Sequence, residues 1–320
     1  LLAVRRLFRF AVACATASVA PMTAYGVISM AKGWSFLPSS ITLKGAHYRS
    51  VFGPILHALF LLIRAPSLLG ILVLLIVMLR SSEIKRWLKA YVLLLLSVLV
   101  LLMHLATADV GWLYRYEAYL VGFSIIAAAN ALPLIKIPRF GPIWFLVLTT
   151  VTALGVRTSE ALVDIPQMSE VVYCQPYQMA RFVARYYPRA SIALNDIGEV
   201  DYVSDIHLLD LAGLADPKIA LAKNKNVYTT SVIRDTSVEH DTLIAIVHES
   251  WFPSSGISYY GPPLPASWHC AGQWYSTGPF PLGDRVLSFY AALPGERERL
   301  ARNLREFAPQ LPKETLYFPC

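Results

Sequence analysis

Charged residues are scarce in this sequence. Only 15% of its 320 residues are charged, 56% are apolar, and the mean hydropathy is +0.49. Because soluble domains are typically about one quarter charged, an ordinary soluble domain and a disordered chain are both poor fits. Acidic residues are rarest in residues 1–157, with 3 Asp or Glu against 15 Lys or Arg; residues 158–320 have 18 against 13. The net charge of +7 therefore reflects a basic apolar half, and we predict no nucleic-acid partner.

The sequence also lacks the common motifs of nucleotide-dependent and hydrolytic enzymes. It contains no Walker-type phosphate loop, no glycine-rich dinucleotide motif, no H-E-x-x-H and no G-x-S-x-G. These absences argue against an ATPase, a nucleotide-cofactor enzyme and a familiar hydrolase. No pair among the four cysteines has metal-ligand spacing, so we assign no metal ligand.

Long apolar runs in residues 1–157 predict membrane spans, each of which needs about 20 mostly apolar residues. We predict about five spans, at residues 10–31, 51–79, 91–105, 119–135 and 140–156. A signal peptide is the alternative for the first run. In the second run Pro66 removes a backbone donor, so it is either one kinked span or, as we favour, an interfacial helix at 51–63 followed by a short span at 66–79.

Lysines and arginines between the runs predict the orientation of the spans. With the N-terminus in the cytoplasm, most basic residues of the first half face inward, as the positive-inside bias requires. Residues 32–65, 106–118 and everything after 156 then lie outside. The sequence thus predicts a multi-pass protein of the inner (cytoplasmic) membrane. Its transmembrane helical region is 1–157 and its periplasmic or extracellular domain is 158–320.

The second half has the pattern of a small α/β domain. Apolar residues recur at helical spacing over 175–187 and 296–307. Short apolar runs predict strands, at residues 191–194, 207–211, 242–247 and 286–291. The predicted fold class is therefore an α-helical membrane bundle followed by a small α/β extracytoplasmic domain. Three cysteines, Cys174, Cys270 and Cys320, would lie where disulfides form, and their pairing is left open.

Two outer segments carry residues suited to an anionic headgroup. Residues 31–45 place Lys44 in a segment with Trp and Phe, and a lysine ammonium binds phosphate as a point charge. Interface anchoring by the aromatics and lysines is the alternative. The stretch DVGWLYRYE at 109–117 offers Arg115 for a phosphate, and Asp109 or Glu117 as a general base. A solvated turn with an ion pair from Arg115 to either carboxylate is the alternative there.

Acidic residues at predicted strand ends form a third candidate site. Asp196 lies in the stretch NDIG after the first predicted strand, and Asp210 lies in DLAGL at the end of the second. Open α/β sheets bind ligands at such ends, and carboxylates can hydrogen-bond to sugar hydroxyls. Turns and helix caps are the alternative, because Asp, Asn and Gly favour both.

These segments together resemble a known group of enzymes. The stretch FLPSS before Lys44, YRYE at 114–117, NDIG and DLAGL occur in the same order as in the C-terminal part of bacterial polytopic glycosyltransferases of the GT-C type, similar to their arabinofuranosyl- and mannosyl-transferase relatives. Such enzymes transfer a sugar from a polyprenyl-phosphate donor to a glycan, lipid or protein acceptor outside the cytoplasm. Their acidic catalytic residue usually lies in a first outer loop. No such loop precedes the first predicted span, so we expect a truncated chain.

The resemblance also implies residue roles. Lys44 and Arg115 would bind the donor phosphate in one shared hollow, and Tyr116 would line it. The catalytic residue stays unknown, with Asp109 and Glu117 as candidates, and the acidic strand ends would bind the acceptor. No cofactor is assigned and a divalent metal is left open. The expected function is an integral membrane glycosyltransferase of hexose or pentose in the cell envelope, with the lipid bilayer as a further partner. The alternative is a membrane-anchored glycan-binding or assembly protein without catalysis.

Overall fold

The computed structural model describes residues 2–44, 52–135, 141–252, 261–278 and 284–320. This part of the chain is mainly helical, with a small mixed sheet towards the C-terminus. The chain divides into two compact units. The helical unit is Lys44–Gln167, and the second unit combines Leu1–Leu43 with Met168–Cys320. We call Met168–Cys320 the C-terminal lobe.

The second unit begins with a long apolar helix, which a tight turn follows. Helix α1 (Leu2–Ala31) has no acidic residue in its first turn and is largely exposed, and α2 (Ser39–Lys44) follows it. Gly33 adopts a φ of 77° just after α1, a conformation that glycine adopts without steric cost. The ring of Phe36 then packs on Gly26, where a Cβ atom would come within 2.3 Å of the ring. The close approach requires glycine at position 26.

Six helices make up the described part of the helical unit. They are α3 (Gly53–Arg64), α4 (Pro66–Arg80), α5 (Ser82–Lys85), α6 (Leu88–Thr107), α7 (Ala118–Ala131) and α8 (Pro142–Cys174), the last of which ends in the C-terminal lobe. Pro66 opens α4 and cannot donate a backbone hydrogen bond, and α3 and α4 meet there at a bend of 109°. Buried leucines of α3, α4 and α6 form the core of this unit, among them Leu61, Leu68, Leu94 and Leu101.

Three helical segments are long and apolar enough to cross a membrane. They are Val12–Ala31, Leu88–Thr107 and Ile143–Tyr186, and the bent pair α3–α4 would add a fourth if it forms one span. A shorter apolar segment, Ala118–Leu134, contains α7 and lies near the lower limit of about 17 residues for a span. Against the predicted count of about five, the described residues therefore contain three long candidate spans, a fourth if the bent pair is one span, and this shorter apolar segment. The preferred division of residues 51–79 at Pro66 is confirmed, as two separate helices.

The C-terminal lobe contains a six-stranded sheet in its described part. The strands are β1 (Ser191–Leu194), β2 (His207–Asp210), β3 (Ile244–His248), β4 (His269–Ser276), β5 (Val286–Ala291) and β6 (Thr315–Pro319). Their order is β2-β1-β3-β5-β4-β6; β2, β1 and β3 are parallel, and β5, β4 and β6 join through antiparallel pairs. The helices are α9 (Pro176–Tyr186), α10 (Gly198–Val203), α11 (Pro217–Asn224), α12 (Thr230–Glu239) and α13 (Arg297–Phe307).

Apolar side chains cover both faces of this sheet. On one face Phe182 of α9 lies at the centre of an aromatic cluster, with ring centroids 5.5 Å from Phe289 and 5.8 Å from Trp274. Residues of α11 and α12 cover the other face, where Ile219 and Ile233 pack with the strands. Such two-sided burial is typical of parallel strands.

The lobe confirms most of the predicted local elements. The predicted helix at 175–187 is α9, and the four predicted strands are β1, β2, β3 and β5, each within two residues of its predicted ends. The strands β4 and β6 were not predicted. A disulfide joins Cys270 in β4 to Cys320, with the Cα atoms 5.7 Å apart, and Cys174 is a buried thiol.

The domain boundary predicted at 157/158 falls inside a helix. Helix α8 continues through Arg157 to Cys174, and the compact units divide at 167/168. The second unit also takes in residues before Lys44. Apolar composition indicates where the apolar runs end. It does not indicate where one compact unit ends and the next begins.

Candidate functional site

The turn before α7 has an unusual backbone. Four consecutive residues have positive φ angles: Gly111 at 111°, Trp112 at 51°, Leu113 at 57° and Tyr114 at 61°. For residues with a side chain this left-handed region costs on the order of 1 kcal/mol or more each. Such a run persists only where surrounding contacts hold it, so those contacts are worth tracing.

A buried ion pair holds this turn. Glu117 is 1% exposed, and its Oε1 lies 3.5 Å from Nη2 of Arg157, which is 12% exposed. The other oxygen of Glu117 accepts a hydrogen bond from the Gly111 amide at 2.9 Å, while Arg157 Nη2 donates to the Tyr114 carbonyl at 3.1 Å. Arg157 Nη1 is buried and has no hydrogen-bond acceptor among the described residues. The pair therefore fixes both ends of the turn.

Tyr114 adds a second connection to α8. Its hydroxyl donates to the carboxylate of Glu160, and the Arg157 guanidinium lies 4.5 Å from its ring centroid. The hydrogen bond to Glu160 raises the pKa of Tyr114 to about 12, so the hydroxyl stays protonated near neutral pH. Arg157 and Glu160 were absent from the predicted site. The signal that could have identified Arg157 is its position as a lone basic residue at the end of a predicted apolar span.

Arg115 is the cation that this turn exposes. It is exposed, and its guanidinium lies 5.5 Å from the ring centroid of Tyr116. Asp109 is exposed too, and its Oδ1 accepts a hydrogen bond from the Val110 amide. Glu117 forms its ion pair with Arg157. Glu117 is thus engaged as a structural partner of the turn.

Lys44 is the last residue of α2. The side chain of Lys44 is not among the described parts of the chain. The predicted hollow that it would share with Arg115 therefore lies outside them too. In the sequence Lys44 is the first residue of the helical unit.

In the lobe, Asp210 serves the loop that follows β2. It is 0% exposed, and its two oxygens accept hydrogen bonds from the amides of Ala212 at 2.8 Å and Ala215 at 2.7 Å. Burial raises the pKa of this carboxyl, an effect that the backbone donors oppose. Lys223 Nζ donates to the Ala212 carbonyl at 2.9 Å, and burial lowers the pKa of Lys223 to about 8. We therefore assign no acceptor contact to Asp210.

Asp196 lies at the other predicted strand end, beside two buried polar side chains. It is exposed and follows Asn195, which is 4% exposed. Asn195 Oδ1 accepts a hydrogen bond from the His248 amide at 3.1 Å, which links the ends of β1 and β3. His248 is 6% exposed; burial lowers its pKa, while the carboxylates of Asp196 and Asp284 act in the opposite direction. Asn195 was predicted only as part of the stretch NDIG, and His248 was not predicted as a site residue.

No group of three or more His, Cys, Asp or Glu side chains in the described ranges is arranged to hold a metal ion. The carboxylates of Asp109, Glu117 and Glu160 instead bind backbone amides, a tyrosine hydroxyl and a guanidinium. The described residues therefore do not indicate a metal site.

One family model matches the chain. It is described as a domain of unknown function (DUF8728), and the match covers residues 166–290. No curated protein and no solved structure matches the chain. The matched stretch runs from the end of α8 into β5, so it includes Asn195, Asp196 and His248 but not the turn at 111–117.

Proposed function

We propose that this chain is part or all of an integral membrane glycosyltransferase that transfers a sugar from a polyprenyl-phosphate donor to a cell-envelope acceptor. The turn at 111–117 carries the proposal. Its backbone is held by the buried Glu117–Arg157 pair, and it presents an exposed guanidinium, Arg115, beside the ring of Tyr116. A cation on a fixed backbone can stabilise charge on a phosphate without first becoming ordered.

Membrane placement is supported by the exposed apolar surface of the helices. Leu99 and Met103 of α6 expose 52% and 70% of their surface, and Phe145 of α8 exposes 72%. Large exposed apolar surfaces indicate contact with lipid or with another protein. The length of α6, 20 residues, matches a bilayer span.

Two observations support an outer location of the C-terminal lobe. Asn224 of α11 donates a hydrogen bond to Thr42 Oγ1 at 3.2 Å, and this requires the segment after α1 and the lobe to lie on one side of any membrane. The positive-inside bias assigns that segment to the outside. The Cys270–Cys320 disulfide is also expected in an oxidising compartment.

The proposed chemistry uses charge at the donor phosphate. Breaking the bond between sugar and phosphate leaves negative charge on phosphate oxygens, which Arg115 and Lys44 would stabilise. The acceptor hydroxyl needs a carboxylate to remove its proton. Of the two candidates Asp109 is the exposed one, and Glu117 is engaged with Arg157. Glu117 is therefore a positioning residue in this proposal.

A transfer assay with the full chain in nanodiscs tests the proposal. A polyprenyl-phosphate sugar carrying a radiolabel is supplied with an envelope glycan acceptor, and labelled product is counted. Arg115→Ala should lower the rate about 100-fold, the usual cost of removing one fixed donor at a developing charge. Arg189→Ala, which removes an exposed arginine of the lobe paired with Asp205, is the matched control and should retain the rate.

The outcomes separate the two candidate functions. Full activity of the Arg115→Ala and Lys44→Ala variants would contradict a role for these cations at the donor phosphate. Donor binding without any transfer by the wild-type chain would favour the alternative, a membrane-anchored glycan-binding or assembly protein.

A further inference from the structure

The order of the parallel strands produces a topological switch point at the carboxyl ends of β1 and β3. From β1 the chain passes to β2 on one side, and later to β3 on the other side of β1. The connections after β1 and β3 therefore diverge at their carboxyl ends. Open α/β sheets bind ligands at this kind of switch point. Here the residues at the two ends are Asn195 and Asp196 after β1, and His248, which ends β3.

Two buried polar atoms at this switch point lack partners. Asn195 Nδ2 and His248 Nδ1 have no hydrogen-bond partner in the part of the chain that the structure describes. Both side chains are more than nine-tenths buried. The Asn195 amide group lies between the two strand ends, because its oxygen accepts a hydrogen bond from the His248 backbone amide at 3.1 Å. An unpaired buried polar atom destabilises a protein, so two of them at a topological switch point indicate a ligand.

The neighbouring groups indicate the chemistry of that ligand. Burial lowers the pKa of His248, and the negative charges of Asp196 and Asp284 oppose that shift. Asp284 is fixed, because it accepts hydrogen bonds from the amides of Ser250 and Val286. The ring of Trp251 lies beside the imidazole, with centroids 6.0 Å apart. Nearby carboxylates disfavour an anion, whereas an amide, an imidazole, a carboxylate and an indole face suit a neutral molecule with several hydroxyl groups.

We propose that the carboxyl ends of β1 and β3 bind a neutral sugar unit. Asn195 Nδ2 donates to a hydroxyl oxygen of the sugar, and Asp196 accepts from one or two of its hydroxyls. The side chains that cover Asn195 and His248 must shift locally to admit it. The proposal rests on the proposed function only in naming this sugar as the acceptor, since binding itself does not require transfer.

Sugar binding can be measured without any donor. The full chain in nanodiscs is titrated with methyl α-mannopyranoside and, separately, methyl α-arabinofuranoside, and binding is followed by ligand-observed NMR. Asp196→Ala removes an exposed carboxylate and should weaken binding about tenfold or more. Asp201→Ala removes an equally exposed carboxylate in α10 and should bind as the wild type does.

A second variant tests the buried donor. Asn195→Asp keeps an oxygen for the His248 amide and removes the Nδ2 donor, so it should also lose sugar binding. The proposal is overturned if neither glycoside binds, if Asp196→Ala and Asn195→Asp bind like the wild type, or if inorganic phosphate binds and the glycosides do not. Transfer activity with no sugar binding would overturn this site alone. Sugar binding with no transfer would contradict only the proposed function.

Discussion

In the helical unit, Leu99, Met103 and Phe145 expose between 52% and 72% of their surface, whereas Phe182 and Trp274 of the C-terminal lobe are fully buried. The lobe buries its large aromatic residues between sheet and helices, as a protein in water does. The helices of the other unit leave apolar side chains outside a narrow leucine core. The two units are therefore built for different surroundings, which is why we propose a bilayer around one of them.

The two units also use charge differently. Among its described residues the helical unit has a buried pair, Glu117–Arg157, that holds a left-handed turn. Most of the ion pairs described in the lobe join exposed side chains; Arg189 and Asp205, for example, are 84% and 83% exposed. Exposed ion pairs contribute little to stability. Loss of one partner from a buried pair leaves the other charge buried and unpaired, which is strongly destabilising. The comparison predicts effects of very different size for similar substitutions.

The largest effect is expected at the buried pair. Glu117→Leu should destabilise the helical unit by about 3–5 kcal/mol, because it leaves the Arg157 guanidinium unpaired. The double variant Glu117→Leu/Arg157→Leu should recover part of that loss. Thermal unfolding of the full chain in detergent measures it, with Asp205→Leu as a surface control that changes little. A Glu117→Leu variant as stable as the wild type would show that the pair does not hold the turn.

Replacing an exposed leucine by aspartate should have a larger effect in the helical unit than in the lobe, if lipid surrounds the helical unit. Leu99→Asp near the middle of α6 should cost about 3–4 kcal/mol of insertion free energy if lipid surrounds it. Leu221→Asp, at a leucine of the lobe that is 47% exposed, should cost less than about 1 kcal/mol. The measurement is the fraction of each full chain that remains in washed membranes. Equal retention of the two variants would remove the contrast.

The disulfide should matter for the lobe. Cys270→Ser should lower the stability of the lobe by about 2–4 kcal/mol, since the bond to Cys320 closes a long loop. Mass spectrometry of the alkylated wild-type chain, isolated without reductant, should find these two cysteines joined and Cys174 free. Complete alkylation of Cys270 in that sample would argue against an oxidising location.

A pH dependence of stability is also expected in the lobe. The pKa of Lys223 is about 8 in the folded chain against an ordinary 10.5, so between these values the unfolded state binds more protons. Stability should therefore rise as the pH increases from about 8 to 10.5. Lys223→Met should lose this rise, and the difference between the two melting curves isolates the lysine. A difference that is constant over this range would contradict the lowered pKa.

Local patterns were enough to predict much of the lobe, because its helices and central strands have a regular apolar period. Helix α9 and strands β1 and β5 were found in this way. Strand β4 has an irregular register between Cys270 and Gly272, where the glycine admits the ring of Tyr317. Strand β6 leaves Phe318 49% exposed. Neither strand has a simple alternation, so only their pairing in space defines them.

The candidate sites were harder to predict, for the same physical reason. Glu117 and Arg157 are forty positions apart in sequence, and their pairing depends on the packing of α8 against the turn. A charged residue beside an apolar run does indicate that a partner is needed, but not which one. Asn195 and His248 likewise meet only because β1 and β3 are neighbours in the sheet.

Our central claim is that the apolar helices cross a membrane and leave the C-terminal lobe outside the cytoplasm. Labelling of intact cells with a membrane-impermeant thiol reagent tests it directly. Tyr202→Cys, at a lobe position that is 89% exposed, should be labelled in intact cells, whereas Arg86→Cys should be labelled only after permeabilisation. Protection of Tyr202→Cys in intact cells, with labelling after permeabilisation, would contradict the claim.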